Sequence, residues 1–405
     1  MSALPKARFL DRTTPPHIMT LVLLAAVGAM NLAVFLPALT QMAAFFEAPY
    51  ASVALAVPLY LMAVAVLQLF IGPISDRYGR RPVILWSLAI FTFATLCTVF
   101  TQSVEAFLFW RVVQAVIAAS FVLSRAIVRD MVPAEQAASM IGYVAMGMAL
   151  VPMVAPMIGG ALSEALGWQA TFIFTMLAGI AVFAIAWQDL SETADLKDAS
   201  FRGQFAQYPE LFASRRFWGY ALAAAFASGA FFAFLGGAPF VSTNSYGLSE
   251  TMAGVGFGAP AIGYATGNFI AGRFSTRLGF NRMILLGAVT TSLGMAALAI
   301  LSITGMDTAT LFFALCATIG LGNGMTIPNA TAGMMSVRPQ LAGTASGIGG
   351  AIMIGGGAAL SALASALLER FGGVAPLALV MLISSVLGLL SILYVMQREK
   401  VIART

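Results

Sequence analysis

Gly72-Pro73-Ile74-Ser75-Asp76-Arg77-Tyr78-Gly79-Arg80-Arg81 separates two long apolar runs, and Gly272-Arg273-Phe274-Ser275-Thr276-Arg277-Leu278-Gly279-Phe280-Asn281 separates two more in the second half of the chain. Glycine, serine, arginine and glycine recur at matching places with no gap. The match predicts an internal duplication and places both segments on the same side of a membrane. Composition supports a membrane setting: the 405 residues are 60% hydrophobic and 9% charged, whereas a soluble domain carries roughly 25% charged residues. Much of this surface must therefore face lipid.

A crossing helix needs roughly 20 apolar residues. Charges and turn residues divide the chain into twelve such runs: about 18–44, 51–75, 82–101, 106–128, 136–162, 169–188, 217–242, 251–274, 282–304, 308–334, 341–367 and 374–397. The long polar gap near 189–215 divides them six and six. The expectation is an all-α membrane protein of twelve transmembrane helices in two pseudo-symmetric six-helix bundles, 1–190 and 216–405, joined by a cytoplasmic linker, 191–215. The first apolar run is too long for a signal-peptide core and is read as a span. Of the 21 lysines and arginines, only Arg111 and Arg370 fall outside the tails, the even-numbered loops, the linker and the adjoining helix ends. The positive-inside rule then places both termini in the cytoplasm. Glu47, Glu105, Glu164, Glu250, Asp307 and Glu369 mark the six outer loops.

The same composition excludes several functions. Two cysteines in apolar runs and a lone histidine, His17, offer no disulfide framework, metal cluster or catalytic constellation. Gly355-Gly356-Gly357 lacks the following lysine and the strand of a phosphate loop. The net charge of +5 is a matter of membrane orientation, not nucleic-acid binding. No cofactor is implied.

Taken together, the motifs resemble those of the major facilitator superfamily. Residues 72–81 resemble its signature loop between spans 2 and 3, with an echo at 272–281. Arg111 and Gln114 in span 4 resemble its R-x-x-Q motif. Pro156-Met157-Ile158-Gly159-Gly160 in span 5, preceded by Pro152, is similar to the P-x-x-G-G motif of its twelve-span drug:proton antiporters. Residues 125–130, 167–172 and the F-L-P-A-L of span 1 resemble the bacterial bicyclomycin and chloramphenicol–florfenicol resistance branch. The resemblance implies two bundles rocking about a central cavity, proton-driven efflux of small molecules, and a monomer in a bacterial inner membrane.

Each motif carries a physical reading. Gly72 and Gly79 permit a tight turn and close helix approach, and Arg77, Arg80 and Arg81 anchor the cytoplasmic side. Asp76 is placed to latch the bundles by meeting the unpaired N–H groups at the start of span 11, near 341–344; alternatively it caps its own helix or pairs with Arg80. Arg111 within a span costs roughly 2.5–3.5 kcal/mol at a helix centre and calls for a cavity and a partner. Gln114 at i+3 shares its face, making the pair a gate or coupling site; the alternative is snorkelling toward Glu105. Pro152, Pro156, Gly159 and Gly160 predict a kinked, small-faced span 5 packed on span 8. Asn31, Phe35, Tyr60, Met146, Phe231, Phe234, Asn268 and Asn323 are the candidate cavity lining, a flexible apolar surface with scattered polar groups.

One departure bears on substrate. The antiporter branch carries an acid in span 1 four positions before its proline; here Ala33 stands there, and no aspartate or glutamate falls in the middle of any span. Neutral or amphipathic substrates are thereby favoured over permanent cations. Proton coupling is left to Asp76, Asp130, Glu105 or Glu164. Uptake or exchange of a metabolite by the same fold stands as the competing reading, with a non-transporting receptor or scaffold behind it.

Overall fold

A computed structural model describes residues 7–132, 140, 144, 151, 154–194, 211–338 and 341–402. They form helices α1 (Ile18–Phe45), α2 (Tyr50–Tyr78), α3 (Arg80–Val99), α4 (Val104–Met131), α5 (Val154–Leu166), α6 (Gln169–Asp189) and α7 (Arg215–Ser245). Helix α8 joins Glu250–Gly256 to Gly258–Leu278. It is followed by α9 (Phe280–Thr304), α10 (Ala309–Val337), α11 (Ala345–Phe371) and α12 (Ala375–Val401). Ten of these are long and apolar enough to cross a membrane. Helix α5 is the described end of a longer expected span, and α8 has the length for a crossing but is diluted by Gly258, Gly263, Gly267, Thr266 and Asn268. The fold is an all-α, twelve-helix membrane fold. Large apolar side chains such as Trp86, Phe100 and Phe269 are exposed on its flanks, where lipid supplies the contact that water would penalise.

Local sequence explains where the helices bend. Pro37 lies in a 3-10 turn, Leu36–Ala38, that separates the two segments of α1; a proline cannot donate to the helical ladder. Ser103, Ser214, Ser249 and Thr308 cap α4, α7, α8 and α10 by accepting backbone N–H bonds with their hydroxyls. Within the first six helices α3 packs on α6, and α1 and α2 pack on α4. Within the last six, α7 packs on α11 and α12, and α9 and α10 pack on each other. The two sets meet where α2 lies on α11 and where the C-terminal ends of α1 and α5 reach α7 and α8.

The segment expected as a loop at 72–81 is nearly all helix. Helix α2 runs through Tyr78, α3 starts at Arg80, and Gly79 alone turns the chain, at φ +95° and ψ 150°. Gly279 turns the second copy at φ +78° and ψ 155°. In each copy the glycine N–H donates to the serine carbonyl four residues back, Ser75 or Ser275, at 2.9 Å. Gly72, expected to allow close helix approach, faces open space, as does Gly272 in the second copy. The backbone conformation at 79 and 279 is essentially glycine-only and costs other residues about 1–3 kcal/mol. A Cβ at Gly79 would also run into the Glu192 carboxylate, whereas one at Gly279 meets nothing. Gly79→Ala is therefore expected to lower the melting temperature more than Gly279→Ala, measured by size-exclusion survival of heated, detergent-solubilised protein. Equal losses would remove Glu192 from the account.

Candidate functional site

Arg111 is fully buried. Its Nη1 donates to Oδ1 of Asn31 at 3.0 Å and to Oε1 of Gln114, and its Nη2 donates to the Asn31 carbonyl at 3.4 Å. Gln114 passes the network on, its Nε2 donating to Thr98 Oγ1 at 3.0 Å. The guanidinium carbon lies 4.4 Å from the Phe35 ring centre, 4.8 Å from that of Tyr60 and 5.9 Å from that of Phe172. Side chains from α1, α2, α3, α4 and α6 thus converge on one cation. Aromatic faces attract a cation by about 2 kcal/mol when it is desolvated, and the amide oxygens supply partial negative charge. Snorkelling toward Glu105 does not occur. Among the described residues every aspartate and glutamate lies at a helix end or in a connection, so no carboxylate neutralises this charge within the spans.

Asn31, Phe35 and Tyr60, read from sequence as cavity residues, stand around Arg111 as its immediate shell. Phe234 is fully buried among Phe231, Phe257 and Phe312, a packing position rather than a lining one. Asn268 borders a separate opening of about 320 Å3 between α8 and α10, with Ser275, Pro328 and Asn329. Asn323 is buried in α10, its Oδ1 without a partner among the described residues. Met146 and Pro152 lie outside the described residues.

The span 5 motif seals one face of the molecule. A Cβ on Gly159 would overlap the Val34 carbonyl, one on Gly160 the Glu250 carbonyl, and one on Gly254 the Pro156 carbonyl. Backbones of α1, α5 and α8 therefore touch directly, which only glycine allows. Thr40 and Thr243 hydroxyls meet at 2.9 Å, and Tyr50 donates to the Gly236 carbonyl at 2.8 Å on the same face.

On the opposite face Asp76 pairs with Arg80 at 2.5 Å, the simpler of its two expected roles. Arg80 also bonds Ser75 Oγ and lies 3.2 Å from Asp130. Glu192 accepts the Arg80 and Arg81 N–H groups at 2.8 and 3.2 Å, fixing the turn to the segment that follows α6. In the second copy Asn281 takes the place of Arg81 and donates to Glu399 at 2.5 Å, with Arg216 at 2.6 Å and Tyr220 at 3.0 Å. Sequence reading missed Glu192 and Glu399. Glu192 follows the last helix of its half and Glu399 lies in the final turn of its own, and the duplication was the signal that could have paired them with the two turns.

Twelve helices, ten of them long and apolar enough to cross a membrane, with duplicated turns and a buried polar network, mark a multi-pass membrane protein. The chain belongs to the Major Facilitator Superfamily, whose family model matches residues 21–362; its members are transporters of small molecules, not enzymes. It is 31% identical over 358 residues to the multidrug resistance protein D of Escherichia coli, covering 88% of this chain and 89% of that one. It is 30% identical over 324 residues to a chloramphenicol resistance protein of Pseudomonas aeruginosa, covering 80% of this chain and 77% of that one. The crystal structure of a bacterial homolog of the human lysosomal transporter Spinster, inward-facing and occupied, superposes with a TM-score of 0.71. It is 16% identical, with 95% of this chain and 96% of that one covered, and shows the shared fold.

Proposed function

We propose that this protein exports small neutral or amphipathic drugs across a bacterial inner membrane by alternating access, in exchange for protons. The observation that carries this reading is the Arg111 network: one buried cation, amide and aromatic neighbours, and no acid in the middle of a span. Such a site offers a permanent cation no counter-charge, and Coulomb repulsion inside a low dielectric is unscreened. The relatives named for drug resistance supply the direction of transport. The two bundles, 1–190 and 216–405, move about the 191–215 linker, with both termini cytoplasmic and the monomer as the working unit.

In this reading the face closed by the α1–α5–α8 contact is the outer one. Arg111 and Gln114 act as the gate or coupling pair, and Asp76 exchanges Arg80 for the start of α11 when the cytoplasmic side closes. The α8–α10 opening at Asn268 belongs to the substrate path.

A susceptibility panel in a pump-deficient host tests the substrate class. Expression is expected to raise resistance to phenicol-type neutral drugs by about tenfold or more, about 1.4 kcal/mol of discrimination, with little effect on quaternary ammonium dyes. Preferential resistance to the dyes would overturn the charge argument. Inverted vesicles with an imposed pH gradient test coupling: collapse of the gradient by an uncoupler is expected to halt accumulation of the same drug. Accumulation unchanged by the uncoupler would remove protons from the cycle.

A further inference from the structure

The closed face contains a pair of acids that the transport site does not use. Glu164 ends α5 and Glu250 begins α8, so one comes from each half of the chain. The Glu164 carboxylate accepts the Thr251 N–H at 3.2 Å and the Thr251 hydroxyl at 2.7 Å through one oxygen. It thus sits at the N-terminus of α8, where the helix dipole favours an anion. Glu250, next in the chain to Thr251, is half-buried, and its backbone lies against Gly160. Its Oε2 is buried with no partner among the described residues.

We propose that Glu164 and Glu250 form a proton-binding site within this seal, occupied when the face is closed and emptied when it opens, so that acid favours closure. Closing the face brings an exposed carboxylate, Glu164, up to the half-buried Glu250, and only Glu164 finds hydrogen-bond donors among the described residues. Glu164 gains the Thr251 donors and stays ionised, held below the usual carboxylate range by those bonds. Glu250 loses water and gains no donor. Burial, with the Glu164 charge second, pushes its carboxyl up to about 7.

Other groups do not interfere. The elements packed against the first turn of α8 are the outer end of α5, the Leu36–Ala38 turn and the Val241–Ser245 turn. Glu164 is their one titratable side chain. Tyr246, just beyond, donates to Asp307 at 2.7 Å.

The sign follows from linkage. In the open state Glu250 is hydrated and titrates in the ordinary carboxylate range, whereas in the closed state it titrates near 7. Closure therefore takes up a proton. Falling pH between these values shifts the equilibrium toward the closed state by up to about tenfold per unit, and above the upper value both states are ionised and the shift ends. The site is a sensor facing the closed compartment. It rests on the alternating-access reading above and is independent of which drug is carried.

The test is the distance between spin labels at Leu166→Cys and Met306→Cys, two exposed positions on this face, in a Cys97→Ala, Cys316→Ala background in nanodiscs. With pH stepped from about one unit above to about one unit below the Glu250 value, the short-distance population is expected to grow in the parent protein. Glu250→Gln is expected to hold the short distance at both pH values, and Glu164→Gln to move the transition to lower pH. Glu369→Gln, another acid on the same side, is expected to respond like the parent. A pH response retained unchanged in Glu250→Gln, or two populations that ignore pH in the parent, would overturn the proton site alone. A single distance in every variant, with and without drug, would overturn alternating access as well.

Discussion

Arg111→Met is expected to leave the protein folded, with a melting temperature close to wild type, and to reduce transport to the level of a strain without the pump. Opposing energies act on this one side chain. A centrally placed arginine costs roughly 2.5–3.5 kcal/mol to hold in the membrane. Its hydrogen bonds to Asn31 and Gln114 return about 1.5–3 kcal/mol as bonds to a charged group, and the Phe35 and Tyr60 faces about 2 kcal/mol. Methionine keeps much of the volume, removes the desolvation cost and leaves two amides that can still bond each other or Thr98. The terms nearly cancel for stability, so selection for stability alone gives no reason to retain a cation here. In the proposed cycle this cation acts through what it contacts during transport. Thermal melting in detergent, paired with drug export from loaded vesicles, reads both quantities. Substantial export by Arg111→Met, or a melting temperature lowered as far as that of a core-cavity variant, would refute this assignment.

The second large effect is expected from added methyl groups. Gly160→Ala and Gly254→Ala should each fold at least as well as wild type, because alanine is favoured over glycine in a helix by about 1 kcal/mol. Yet each Cβ would overlap a backbone carbonyl of the partner helix, of Glu250 or of Pro156, and backbone cannot swing aside as a side chain does. Overpacking of this kind costs about 1–3 kcal/mol. Here it falls on the closed face alone and lowers the population of that state by about ten- to hundredfold. Both variants should therefore export poorly, and a cysteine at Ser163, fully buried in the seal, should react faster with an impermeant maleimide than it does in the parent. Export and labelling rates both equal to the parent's would show that the α5–α8 contact is not a moving part.

Much of the architecture was legible in the chain. Hydropathy is a sum over neighbours in sequence, so the membrane setting and the number of spans follow without any knowledge of packing. The repeated Gly-Ser-Arg-Gly spacing worked for the same reason: the turns at Gly79 and Gly279 are set by local backbone geometry. Span 8 shows where a local property weakens, since its glycines and Asn268 lower its hydropathy while serving contact with α10. The R-x-x-Q spacing put Arg111 and Gln114 on one face because i and i+3 are adjacent on any helix.

Partner choice was decided by the tertiary structure. Arg111 and Asn31 are eighty positions apart, and sequence alone offered Glu105 as the alternative neighbour. Asp76 had both Arg80 and the start of α11 within its reading, and the fold placed it against Arg80. Phe234 and Phe35 looked alike as aromatic lining, yet one became aromatic core and the other faces the buried cation. Glu250 read as a loop marker until α5 brought Glu164 beside it. The physical reason is common to all four. Helix formation in lipid is dictated by the hydrogen-bond needs of each segment, whereas charges and rings are assigned partners by how helices distant in sequence pack.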